Sequence, residues 1–107
     1  MKADKLLIED ICNQAEFINA TLQKISKDDL LEDMLYQNAL IRSIEIMGEA
    51  AKRLSPEFRE SHPELPLSEM ARARDKMIHG YDEIDLDILW YILSEDVPAM
   101  YEDLLRL

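Results

Sequence analysis

The sequence predicts an all-α domain, an antiparallel four- to five-helix bundle with a kinked C-terminal helix. Three observations carry this. Apolar residues recur in alternating three- and four-residue steps, which line one face of a helix. Glycine is scarce, with 2 residues, while Leu, Ile and Met are plentiful. No run of β-branched residues alternates with polar ones. At 107 residues the chain reads as a single domain, 1–107, long enough to bury a modest core without staples.

From Asp4 to about Lys24 the stripe is Ile8, Ile11, Ala15, Ile18, Leu22 and Ile25, with Asp4 as the expected N-cap. Cys12 adjoins the stripe as a small buried thiol; as the single cysteine it leaves no internal disulfide, which fits a reducing cytoplasm. Asp28 or Asp29 is expected to cap a second helix running to about Leu54, with Leu30, Met34, Leu40, Ile41, Ile44, Met47 and Ala51 facing the core. Beside that face runs a polar row, Asn38, Arg42, Glu45 and Glu49. It reads either as a solvated stripe with an Arg42–Glu45 ion pair or as a seam facing a partner or the active segment. Gly48 costs such a helix about 1 kcal/mol against Ala, and allows another backbone to come close.

Ser55-Pro56-Glu57 is an N-cap, a proline at the first helical position and an acid in the first turn. The short helix it starts must end before Pro63, and Ser61 to Pro66 forms a rigid connector in which His62 is exposed without a chemical role. Ser68 is expected to cap a helix through about Ile78, with Met70, Ala73 and Met77 inward and Gly80 at its C-terminal end. Asp85 caps the last helix, where Leu86, Leu89, Leu93, Val97, Met100, Leu104 and Leu107 keep heptad spacing. Pro98 should kink it near Glu95, leaving the Ser94 carbonyl without its partner. The longest apolar run, Ile88 to Leu93, is far short of a membrane span, and the N-terminus lacks a signal peptide's pattern.

The net charge of −11 is unevenly spread. Residues 1–48 carry 5 basic against 9 acidic side chains, residues 49–79 carry 6 of each, and residues 80–107 carry 1 against 8. Acidity of this order repels nucleic acid at long range, so any RNA contact must come from a local basic patch.

The one stretch rich in chemistry lies in the least acidic third. Arg74-Asp75-Lys76-Met77-Ile78-His79-Gly80-Tyr81 gathers a fixed cation, an imidazole and a phenol. On a continuous helix Arg74 and His79 would stand about 140° apart. They converge only if the helix ends between them, or if two copies of the chain meet around one cleft. Asp75, four residues before His79, can fix the imidazole's tautomer and raise its basicity. This set suits metal-free RNA cleavage: the histidine takes the proton of a 2′-hydroxyl and the arginine stabilises charge growing on the phosphate oxygens. No zinc or di-metal spacing, glycine-rich phosphate loop or serine nucleophile elbow occurs, so neither a metal nor a cofactor is expected. The competing structural reading is that Arg74, His79 and Tyr81 merely satisfy helix-end carbonyls and the acidic final helix.

Arg74-x4-His79-x-Tyr81 resembles the RX4-6H(XY) signature of HEPN domains. Over nearly its full length the chain resembles the HepT toxin family, partner of MntA-type minimal nucleotidyltransferase antitoxins. Ile44 to Leu54 looks like that family's "GEA" helix, Ala73 to Tyr81 its "RDKLIHGY" segment, and Asp96-Val97-Pro98 its "DLP". The resemblance implies a homodimeric HEPN-like bundle with a composite cleft and metal-independent endoribonuclease activity on RNA. Arg74 and His79 would take the catalytic places. Tyr81 matches the tyrosine that the nucleotidyltransferase adenylylates to silence the toxin. Two departures from the family pattern are Asp82, where an aromatic is frequent, and Leu67, where tryptophan is. A non-catalytic HEPN module that binds a nucleotide or presents Tyr81 to its partner is the alternative of a different class.

Overall fold

The computed structural model describes residues 2–79 and 83–107, with Lys2 and His79 described by their backbone alone. The helices are α1 (Lys2–Leu22), α2 (Lys27–Glu32), α3 (Met34–Arg53), α4 (Pro56–Ser61), α5 (Leu67–Lys76), α6 (Leu86–Tyr91) and α7 (Val97–Leu105). A π-helical segment, Ile92–Asp96, joins α6 to α7 in one rod. The fold is the expected all-α bundle, with one small addition: β1 (Ile78–His79) pairs antiparallel with β2 (Glu83–Ile84) in a two-residue ribbon.

The amphipathic stripes decide what packs. α1 lies on α3 and on the π–α7 rod, and α3 lies on α5. Ile11, Ala15 and Ile18 of α1, Leu40, Ile44, Met47 and Ala51 of α3, and Leu89, Leu93, Val97, Met100 and Leu104 of the last rod form one core. Leu30 of α2 and Met77, just after α5, belong to it as well. Each of the larger side chains among these adds roughly 1.5–3 kcal/mol by leaving water, so this core supplies most of the stability.

Several helix ends differ from the expected ones, each for a local reason. Asp4 is not the cap of α1 but sits buried in its first turn. Its carboxylate accepts the Ser55 N–H at 2.9 Å and the Ser55 hydroxyl at 2.6 Å. Ser55 meanwhile caps α4 as expected, taking the Phe58 N–H at 3.1 Å. The second expected helix is two. Ser26, not Asp28 or Asp29, caps α2 in a reciprocal box with Asp29. Asp33 then breaks the run and caps α3 through the Leu35 N–H. The break turns Met34 outward, 70% exposed, rather than into the core. α5 begins at Leu67 behind Pro66 with no side-chain cap, so Ser68 does not serve as one.

The disturbance expected at Pro98 takes the form of a change of register. The chain widens into the π segment, in which the Val97 N–H reaches back to Ile92 and the Ser94 hydroxyl donates to the Trp90 carbonyl at 2.7 Å. Pro98 thereby falls in the first turn of α7, where a missing N–H costs nothing. At the far end of α3, the Arg59 guanidinium donates to the carbonyls of Ala51 and Leu54, satisfying groups the helix leaves open.

Candidate functional site

Where α3 meets α5 the contact is close and polar rather than apolar. A Cβ added at Gly48 would stand 3.1 Å from the Met70 carbonyl oxygen and 3.6 Å from the Ala71 Cα. Glycine here admits the neighbouring backbone, as its place in mid-helix suggested. The two helices run antiparallel, so Glu45, one turn before Gly48, comes level with Arg74, one turn after Met70. There the Arg74 Nε–H donates to Glu45 Oε2 at 2.7 Å. The Arg74 side chain is 52% exposed and that of Glu45 is 31% exposed, so the pair rims a groove rather than lying in the core.

That groove has a volume of about 370 Å³, and Arg42, Glu45, Glu49, Lys52, Arg74 and Asp75 supply its charged lining. Arg42, Glu45 and Glu49 of the polar row of α3 therefore face the Arg74 segment, the sharper of its two readings. Sequence spacing had paired Glu45 with Arg42 one turn away; Glu45 instead crosses to Arg74, while Glu49 meets Arg53 at 3.8 Å.

α5 ends at Lys76, two residues short of the expected Ile78, and the Met77 N–H closes it on the Arg74 carbonyl at 3.3 Å. Ile78 and His79 continue as β1, opposite Ile84 and Glu83. The Asp85 N–H donates to the Met77 carbonyl at 2.6 Å, tying the ribbon to the start of α6, and Asp85 Oδ1 caps that helix through Ile88 as expected. The helix thus ends between Arg74 and His79, the condition under which one chain can turn both toward one place. Asp75, exposed on the last turn of α5, and His79 in β1 stand on different elements rather than stacked on one helix. Gly80, Tyr81 and Asp82 lie outside the described residues.

Elsewhere the polar groups are structural. Hydrogen bonds from Ser55 hold the Asp4 carboxyl below the usual aspartate range. The Tyr101 hydroxyl donates to Glu16 at 3.0 Å, and that bond pushes its pKa up. Burial, then the neighbouring Glu16 charge, raises the Cys12 thiol, which disfavours the reactive thiolate. Among the described residues no group of His, Cys, Asp and Glu is placed to hold a metal ion, and no helix is long and apolar enough to cross a membrane.

An all-α bundle whose short fifth helix delivers an arginine to the rim of a polar groove, and hands the chain on to a histidine, has the organisation of a HEPN-type domain. The HepT-like family model, described as ribonuclease HepT-like, matches residues 11–107, and the chain belongs to that family. It is 41% identical over 92% of its length to a Thermococcus cleftensis protein named "Probable ribonuclease HepT", covering 90% of that protein. It is 37% identical over 94% of its length to a Caldanaerobacter subterraneus protein named "Putative RNase TTE0752", covering 89% of it. A Methanocaldococcus jannaschii protein named "Putative RNase MJ1380" is 33% identical over 92% of the chain and 91% of that protein. No solved structure matches the chain significantly.

Proposed function

We propose that this chain is the ribonuclease toxin of a HepT/MntA-like pair, a cytoplasmic homodimer that cuts RNA without a metal ion at a cleft built from both copies. The observation that carries the reading is Arg74, half-exposed on the groove rim of a chain that belongs to the HepT-like family. His79 takes the proton of a ribose 2′-hydroxyl as its oxygen bonds to the adjacent phosphorus. The bond to the 5′-oxygen breaks, and that oxygen takes a proton from the imidazolium of one of the two histidines. Arg74 donates to the non-bridging oxygens, on which negative charge grows. Asp75 supports the histidine's basic tautomer.

Silencing follows from the same electrostatics. A partner nucleotidyltransferase transfers AMP to Tyr81, two residues from His79, adding bulk and negative charge that oppose the substrate phosphate. The second reading, a non-catalytic module that partners a nucleotidyltransferase, is favoured by the net charge of −11, which repels RNA everywhere but locally.

Growth after induced expression separates the two. Expected is inhibition by the chain alone, lost in Arg74→Ala and in His79→Ala at matched soluble levels; a harmless parent chain would favour the non-catalytic module. With the partner and ATP present, the mass should rise by one or more AMP units, and not in Tyr81→Phe. Labelling that survives Tyr81→Phe would remove that residue as the acceptor.

A further inference from the structure

We propose that Glu45 is a positioning residue for Arg74, holding the guanidinium by its Nε–H so that its outer N–H groups are presented together to a phosphate. This deepens the nuclease reading above and rests on it. The geometry is specific. An arginine carries five N–H donors in a rigid plane, and a carboxylate on Nε uses one while leaving both terminal nitrogens for bidentate contact. Glu45 Oε2 accepts that Nε–H at 2.7 Å.

The contact is also set by the fold rather than by chance reach. It joins two helices, α3 and α5, whose separation is fixed one turn away, where Gly48 lets the Met70 carbonyl approach a would-be Cβ to 3.1 Å. A half-exposed ion pair adds little to stability, yet here a carboxylate sits beside a groove meant to receive anions. Its repulsion of a phosphate is offset if the arginine it orients is the group that must meet that phosphate squarely. Displacing a catalytic group by about 1 Å can slow a reaction on the order of 100-fold.

Kinetics on a short synthetic RNA in EDTA, with the full-length chain, tests this. Glu45→Ala should lower kcat on the order of 100-fold, with KM and melting temperature little changed. Glu45→Gln, which keeps an oxygen acceptor for Nε–H, should restore most of kcat. On the Arg74→Ala background, Glu45→Ala should cause no further loss, because it acts only through Arg74. The Nε–H resonance that disappears in Arg74→Ala should be protected from exchange in the parent and in Glu45→Gln, but not in Glu45→Ala. A parent that cleaves RNA while Glu45→Ala keeps its kcat overturns this inference alone, as does an Nε–H resonance indifferent to Glu45→Ala. A parent that cleaves no RNA overturns the nuclease reading, and this inference falls with it.

Discussion

Helix α3 has two working sides that obey different rules. Into the apolar core, which α1 also lines, it presents Leu40, Ile44, Met47 and Ala51, all under 4% exposed. Toward α5 it presents Gly48 and Glu45, one giving room for a backbone and the other gripping a half-exposed arginine. The first side stabilises without much geometric precision, since any well-filled apolar contact removes area from water. The second adds little stability but lets α5 approach closely and, on the proposal above, sets where Arg74 points. The difference teaches that the residues placing a site need not be those holding the fold, and that the two can share one helix.

Substitutions should separate these roles, beginning with the largest effect on stability. Leu40→Ala, at a fully buried position, is expected to cost about 2–5 kcal/mol, read as a lower denaturation midpoint. A loss under about 1 kcal/mol, well below that range, would mean that the α1–α3 side is not the stabilising one. Gly48→Val should cost about 1–3 kcal/mol through crowding, and should also weaken RNA cleavage in the fraction that remains folded, because α5 must move away from α3. Cleavage at the parent rate in folded Gly48→Val would show that the close approach does not set Arg74.

The Asp4–Ser55 contact yields a smaller, pH-dependent effect. The folded-state carboxyl is held below its ordinary value of 3.8, so its contribution is fully present above that value. It is lost as pH falls through the lower folded-state value. Asp4→Asn should therefore lower the melting temperature at pH 7, and the gap from the parent should close as the solution is acidified below the aspartate range. A gap that widens in acid would contradict this. Smallest of all, Glu45→Ala should change stability by only about 0–1 kcal/mol, as surface pairs do, in chemical denaturation at moderate salt.

Much of the bundle was legible because hydrophobic period and turn residues report local preference. The Ile11–Ala15–Ile18 stripe, the Ser55-Pro56 start of α4 and the Asp85 cap all needed only their own neighbours. What was not legible depends on partners distant in sequence or on competition between adjacent candidates. Asp4 has the composition of an N-cap, but Ser55, brought alongside by folding, takes its carboxylate. Ser26 and Asp33 outcompete Asp28 and Asp29, which stand inside or beside the same short turn. Pro98 signalled a disturbance but not its form, since a π segment and a plain kink both accommodate a residue that has no N–H to donate. Around the candidate site, the place of Arg74 on its helix and the termination before His79 were readable. Glu45 was not, because helical spacing offered Arg42 as a partner and the antiparallel register of α3 and α5 was not in view; Gly48 was its nearest signal.

The most direct measurement is cleavage of an end-labelled RNA by the purified chain in EDTA, beside Arg74→Ala and His79→Ala with matched melting curves. Expected is cutting by the parent and loss of it in both variants. Cutting that persists in both, with the fold intact, would contradict the claim that the end of α5 and the segment after it form the nuclease centre.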